Sequence, residues 1–373
     1  MDINLKVKKN LQIRAFYLFF IIASIQLGVG IIGAPKLIYL ESLQDSWISI
    51  LIAFIYIVAV VITMFFILNQ YENADIYGIQ VDIFGKWIGK FLGTIYIVHF
   101  GIALLSVLIT YIEVIRVYIF PMMSNFVMGF LLLCLVVYGV LGGLRVIVGV
   151  CTVFFLLSHW IVFLLIQPST RMDITHLQPM FVSPISDLLS GAHISAYTFM
   201  GFEILFLVYP FIQNKKKAKL PALLATGWTT LFLLLITIIT IGYFSYQQIE
   251  RREWVLLSLI KVQNFTFVER FDYIVVAEWM MIIVPNMLLL MWGITYGMKR
   301  LYKVPQKVTL YSVAVIMSFA CIYFDEHYRI QSTIDASANY GFWLVYVYPF
   351  LLLPIVLIKK KWIKKKEEKS NAK

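Results

Sequence analysis

Long apolar runs recur from one end of this chain to the other, and they leave its backbone only one way to be satisfied. Ten runs, at approximately 14–36, 46–68, 91–118, 122–141, 146–167, 191–212, 220–243, 272–298, 308–324 and 339–358, are each long enough to cross a bilayer. A hydrocarbon core of ~30 Å needs about 20 apolar helical residues. No water is present there to pair N–H and C=O groups, so continuous apolar runs of this length must be helices. The composition agrees: 61% of the 373 residues are hydrophobic, 14% are charged, and the mean hydropathy is +0.86. A soluble domain carries about 25% charged residues. The expectation is an all-α polytopic membrane protein with ten transmembrane helices in a single membrane domain, residues 1–373. The first run is too long, and lacks the small-residue site, for a cleaved signal peptide. The third and eighth are long enough to tilt or to extend beyond the bilayer.

The net charge of +11 suggests nucleic acid only until the charges are placed. With a cytoplasmic N-terminus, 23 of the 31 Lys and Arg fall on inside flanks: the N-terminal tail, Lys86 and Lys90, Arg145, the 215–219 run, the 299–307 run and the tail from Lys359. That is the positive-inside pattern, and it predicts both termini inside. The basic tail, 359–373, suits anionic headgroups. The partner implied by this charge is the lipid bilayer, and nucleic acid is excluded.

Within the first run, Gly28-Val29-Gly30-Ile31-Ile32-Gly33-Ala34-Pro35 places three glycines and a proline where a membrane helix should be unbroken. Irregular backbone survives at that depth only where it is buried in protein or lines a cavity. The segment spells G-x-G-x-x-G, but no soluble strand precedes it and position 52 is Ile, so it is no dinucleotide fingerprint. Two readings stand: a broken helix at a ligand site, or close helix packing by small residues. A matching anomaly, Thr198-Phe199-Met200-Gly201-Phe202-Glu203, lies five runs later. That offset fits an inverted five-plus-five repeat, about 14–167 and about 191–358, with runs 1 and 6 broken. Glu203 at membrane depth requires a partner or a cavity. It is either a ligand or proton group or a structural anchor.

Other polar groups fall at compatible depth. Tyr96 and His99 are three apart and share a helix face. Pro285 frees a carbonyl one turn upstream and Asn286 can both donate and accept, with Glu278 about two turns nearer the outside. Glu113 and Arg116 share a face and suit a local ion pair. The stretch 244–271 reads as an outward loop, with a short interfacial helix carrying Trp254 and Leu256. Cys134, Cys151 and Cys321 lie in separate apolar runs without paired spacing and read as buried small hydrophobes. No metal-ligand cluster, nucleophile elbow or phosphate loop is present. Neither an enzyme nor a cofactor is expected.

The broken first helix and Phe-Met-Gly-Phe-Glu203 in run 6 resemble the B subunits of spore germinant receptors, the GerAB-like spore germination permeases. Gly85-Lys-Trp-Ile-Gly89, Leu177-Gln-Pro179, Lys215-Lys-Lys217 and Glu269-Arg-Phe271 agree in order and spacing. The resemblance covers essentially the whole chain. It implies the amino acid–polyamine–organocation transporter superfamily and its LeuT-like inverted-repeat fold. It also implies residence in the inner membrane of the spore, beside an A-type membrane subunit and a C-type lipoprotein. The implied function is sensing of a small-molecule germinant, often an L-amino acid. The alternative is a proton-coupled amino acid transporter. The pocket it implies would be lined by Gly28, Val29, Gly30, Ile31, Tyr96, His99, Phe199, Met200, Gly201, Glu203, Pro285 and Asn286.

Overall fold

A computed structural model of the chain describes residues 2–262 and 271–371, without the side chains at 364, 366, 367 and 369–371. Glu269 and Arg270 of the motif ahead of run 8, and positions 263–270 of the loop before it, lie outside the described residues. Among the described residues there is no strand, only two isolated bridges. The helices are α1 (Leu18–Gln26), α2 (Gly30–Ser42), α3 (Ser46–Leu68), α4 (Ile76–Tyr118), α5 (Asn125–Leu141) and α6 (Leu144–Ser158). They continue as α7 (Ile166–Thr170), α8 (Ile185–Thr198), α9 (Leu205–Val208), α10 (Lys219–Tyr243), α11 (Tyr246–Glu250) and α12 (Val255–Lys261). The last five are α13 (Phe271–Glu278), α14 (Met280–Tyr302), α15 (Gln306–Tyr323), α16 (His327–Phe342) and α17 (Tyr348–Asn371).

The chain is a multi-pass membrane protein. All ten predicted runs fall on helices, yet among the described residues seven helices are long and apolar enough to cross a membrane unaided. The bent pair Ile185–Thr198 and Phe202–Phe211 makes an eighth if it is one crossing. A count of ten would require crossings assembled from shorter helices. A crossing assembled from two half-helices has no single helix of full length, and α2 runs on into α3 as one stretch, Gly30–Leu68. Ala15–Gln26 and Asn125–Leu141 are shorter apolar helices.

Two groups of helices pack on one another. One contains α1, α2, α3, α8 and α10; the other contains α4, α5, α14 and α15. The long third run is explained by α4, which breaks at Gly85 (φ 82°) into an arm and a second part about 50 Å long at 1.5 Å per residue. The N-terminal segment straps one end of the bundle. Leu5 N–H donates to Asn73 O at 2.8 Å, and Ile13 N–H donates to Phe211 O at 2.8 Å. Arg300 and Arg145 donate to Asp2 O and Asn10 O at 3.0 and 2.8 Å. The N-terminus, Arg145 and the 299–307 run therefore share one end.

At the opposite end, Asp45 between α2 and α3 is buried and ties down the loop leading to α8. Its carboxylate accepts from the N–H groups of Phe181, Val182 and Ser183 at 2.7, 2.8 and 2.9 Å. Burial works to raise its pKa, but these donors outweigh it and hold the carboxyl below its usual value. A depressed folded-state pKa contributes stability above the unfolded value of about 3.9, lost as pH falls through the folded value. Asp45→Ala should loosen the 178–184 loop by about 1 kcal/mol, since water can replace most of the lost acceptor at this exposed loop. Limited proteolysis across pH 7 to 3 should show cleavage of the native loop accelerating only at the acidic end, and cleavage of the variant loop about fivefold faster than native at pH 7 with little dependence on pH.

Three expectations are corrected. Glu113 and Arg116 do not pair: Arg116 bonds Asp325 at 2.5 Å and Asn125 at 2.8 Å, while Glu113 meets His327 Nδ1 at 2.7 Å. Partners from the α15–α16 turn approach more closely than the neighbour on the same helix. The helix carrying Leu256 does not turn that side chain to the bilayer; α12 packs on α2 with Leu256 fully buried in protein. Cys151 and Cys321 are buried as expected, whereas Cys134 is exposed on α5.

Candidate functional site

Both broken helices part at the same depth, and side chains from across the bundle satisfy the freed backbone. In the first, α1 ends as Leu27 and Gly28 turn out of helix, and α2 starts at Gly30 with no side-chain cap on its N-terminus. Pro35 lies inside α2, past the break. In the second, α8 ends at Thr198, and Gly201 takes φ +117°, a conformation costly for any residue with a Cβ. Asn286 Nδ2 donates to Ile25 O at 2.7 Å and Gln26 Nε2 to Phe199 O at 3.0 Å. Tyr346, presented by the π-helical turn Trp343–Val347, donates to Ala196 O at 2.6 Å. Gln26 also accepts from Thr229 on α10 at 3.1 Å, so one amide joins both breaks to a third helix.

Glu203 closes the second break. Its Oε2 accepts from Gly201 N–H at 2.7 Å and its Oε1 lies 2.8 Å from His99 Nε2 on α4. Both side chains are 2% exposed. Both carboxylate oxygens are thus engaged by protein groups.

A cavity of about 70 Å³ lies between the breaks. Gly28, Val29, Gly30, His99, Met200, Gly201, Glu203 and Asn286 line it, as do Gln26, Thr198 and Ser337. Ile31, Tyr96, Phe199 and Pro285 stand behind that lining: all four are buried, and none borders the cavity. Gln26 and Ser337 were missed. A lone amide beside Gly28 in an apolar run is itself a signal of the kind that singled out Glu203. Tyr346 carries no signal, because its role depends on a turn 150 residues from its acceptor.

Val29, Gly30, Tyr197, Thr198 and Met200 also border a second cavity of about 390 Å³, toward the α2 and α8 end. Trp254, Asp335, Asn339 and Phe342 line it. Glu113, Glu253 and His327 line it as well; Glu253 is bonded to Lys36 at 2.9 Å and His327 to Glu113 at 2.7 Å.

The two glycines of the first break are not equivalent. A Cβ on Gly28 would meet Asn286 Nδ2 at 2.9 Å, whereas one on Gly30 would find its nearest atom, Thr198 Cα, at 3.7 Å. Gly28→Ala should displace the Asn286 amide from Ile25 O and destabilise the fold by about 1–3 kcal/mol. Gly30→Ala should unfold at the native temperature. Unfolding curves in detergent test the split; equal losses would contradict it.

Residues 12–329 match the model of a family described as spore germination protein. The chain belongs to that family. It is 32% identical to spore germination protein GerQB of Bacillus cereus, over 90% of this chain and 93% of the relative. It is 23% identical to spore germination protein B2 of Bacillus subtilis strain 168, over 91% and 94%. Its structure is similar to the substrate-bound, outward-open state of a Na⁺-coupled sialic acid symporter, with TM-score 0.67 and 13% identity over 92% of this chain and 78% of that one. The fold is thus the LeuT-like one expected, and the family member is a membrane protein of spore germination.

Proposed function

We propose that this spore germination protein is the nutrient-sensing membrane subunit of a germinant receptor. In this reading it binds a small molecule, an L-amino acid, between its two broken helices. The observation that supports it best is the small cavity where both breaks meet, joined by shared lining to the larger one. The uncapped N-terminus of α2 suits a carboxylate through its N–H groups and positive dipole end. Tyr96, Ile31, Phe199 and Pro285 shape the site from behind. In the same reading the chain crosses the spore inner membrane ten times as one domain, with both termini inside, beside an A-type subunit and a C-type lipoprotein. Ligand favours one arrangement of the bundle over another, and the partners read the difference.

A proton-coupled transporter is the second reading, favoured by the buried His99–Glu203 pair and by a fold shared with a symporter. Fold alone cannot choose between them. Vesicle uptake compared with nutrient-triggered germination can. A sensor gives germination without concentrative uptake by the isolated chain; concentrative uptake contradicts it. On either reading Gly30→Ala, which folds, should raise the nutrient concentration needed about tenfold by narrowing the space beside Thr198.

A further inference from the structure

A third cavity, of about 1020 Å³, lies away from the two breaks, at the end of the bundle strapped by the N-terminal segment. Nine of the residues bordering it are lysine or arginine, and one, Asp2, is acidic. They converge from four separate stretches: the strap, α4 just after Gly85, the start of α6, and the corner from α14 into α15. Three of the nine are already engaged. Arg300 bonds Asp75 at 2.7 Å, Arg145 bonds Asn10 O at 2.8 Å, and Lys90 stands 5.6 Å from the centroid of the Tyr302 ring. The other six, Lys6, Lys8, Lys86, Lys299, Lys303 and Lys307, form no ion pair among the described residues.

Helix ends do not account for this gathering. A cation is favoured at a helix C-terminus, which fits Lys299 and Lys303 at the end of α14. Lys86 and Lys307 stand instead in first turns, after Gly85 in α4 and at the start of α15, where the dipole favours an anion. Beneath the lysines the cavity is apolar, with Trp292, Leu301 and Leu310 buried along it. Beside it, large aromatic side chains face away from the bundle. Trp87, between Lys86 and Lys90, is 86% exposed, and Tyr138, one turn before the lining residue Leu141, is 79% exposed. Tyr311, next to Leu310, is exposed as well. Such residues gather where headgroups meet hydrocarbon. The cavity therefore lies at the depth of lipid phosphates, next to a surface suited to acyl chains.

We propose that this cavity binds the headgroup of an anionic phospholipid, its phosphate among the six lysines and its acyl chains along α4, α5 and α15. Basic pockets between membrane helices suit such headgroups. A zwitterionic lipid brings an ammonium that the lysines repel. A soluble phosphate pairs with the lysines but leaves the aromatic surface uncovered. The site is distinct from the space between the breaks and stands whether or not a nutrient binds there.

The test is native mass spectrometry of the full chain, delipidated in detergent and titrated with phosphatidylglycerol, phosphatidylcholine or soluble glycerol phosphate. The first phosphatidylglycerol should bind at least tenfold more tightly than either of the others. A basic side chain beside an anionic headgroup is worth about fivefold. The triple variant Lys86→Gln, Lys303→Gln, Lys307→Gln should therefore weaken that binding at least tenfold. The triple variant Lys216→Gln, Lys217→Gln, Lys219→Gln removes the same charge from lysines that do not border the cavity, and should weaken it less than twofold. Equal losses from the two triples, or none from either, overturn the site, because overall charge would then be gathering the lipid. Glycerol phosphate binding as tightly as the lipid would make the cavity a soluble-anion site. Displacement of the lipid by hexaglutamate would make it the seat of an acidic protein segment. Either result overturns the lipid assignment. The three-ligand comparison on the unaltered chain decides the matter even if a variant fails to fold.

Discussion

Glu203→Ala should abolish accumulation of folded protein, while Glu203→Gln should preserve most of it. The alanine removes the acceptor of Gly201 N–H and the partner of His99 in one step. Breaking a buried pair by removing one member costs about 3–5 kcal/mol, and an unsatisfied buried N–H adds about 1–3 kcal/mol. Against a typical stability of about 5–15 kcal/mol, that is ruinous. Glutamine is isosteric. Its oxygen can accept from Gly201 and its amide can donate to His99 Nε2, so both bonds survive without the charge. Size-exclusion profiles of a fluorescently tagged chain separate the two variants. Equal yields from both would mean that the anchor contributes little, and loss of both would mean that the negative charge itself is required.

Gly201→Ala should be nearly as damaging, for two independent reasons. At φ +117° an L-residue is strained whatever surrounds it. The added Cβ would also lie 2.8 Å from Ile25 Cγ1 and 3.1 Å from Ile25 O, and that carbonyl is already held by Asn286. Strain of about 1–3 kcal/mol combines with overpacking of about 1–3 kcal/mol. Gly201→Asn, which tolerates positive φ better but brings more bulk, should not rescue. A substantial rescue by asparagine would place the whole effect in the backbone and none in the contact with Ile25. Gly30→Ala is the internal control for folding, because its Cβ meets only ordinary van der Waals contact with Thr198 at 3.7 Å.

The two breaks were legible because glycine in an apolar run violates the local rule for a membrane helix, although close packing by small residues would leave the same trace. Glu203 was legible for the same reason, since a carboxylate at that depth needs a partner. Its partner was within reach too: His99 was noted, though not joined to it, because the bond spans 104 positions. The caps on the broken backbone were not legible. Asn286 to Ile25 and Tyr346 to Ala196 depend on which helices meet, and helix contacts leave no periodic trace when every face is apolar. The Glu113–Arg116 misreading has the opposite origin. Spacing on one helix makes a pair possible, but Asp325 and His327, brought in by the turn before α16, compete better. The number of crossings was harder still, because hydropathy sees a run of residues while a half-helix is defined by where its hydrogen bonds stop.

Thiol protection at Thr198 tests most directly whether a nutrient occupies the space between the breaks. Thr198 borders both cavities. With Cys134, Cys151 and Cys321 replaced by alanine, Thr198→Cys offers a single thiol whose modification rate can be followed in nanodiscs. The L-amino acid that binds the chain most tightly should slow that rate at least tenfold, with half-protection at its own dissociation constant. A ligand that binds the chain and leaves the rate at Thr198→Cys unchanged would place the binding site elsewhere.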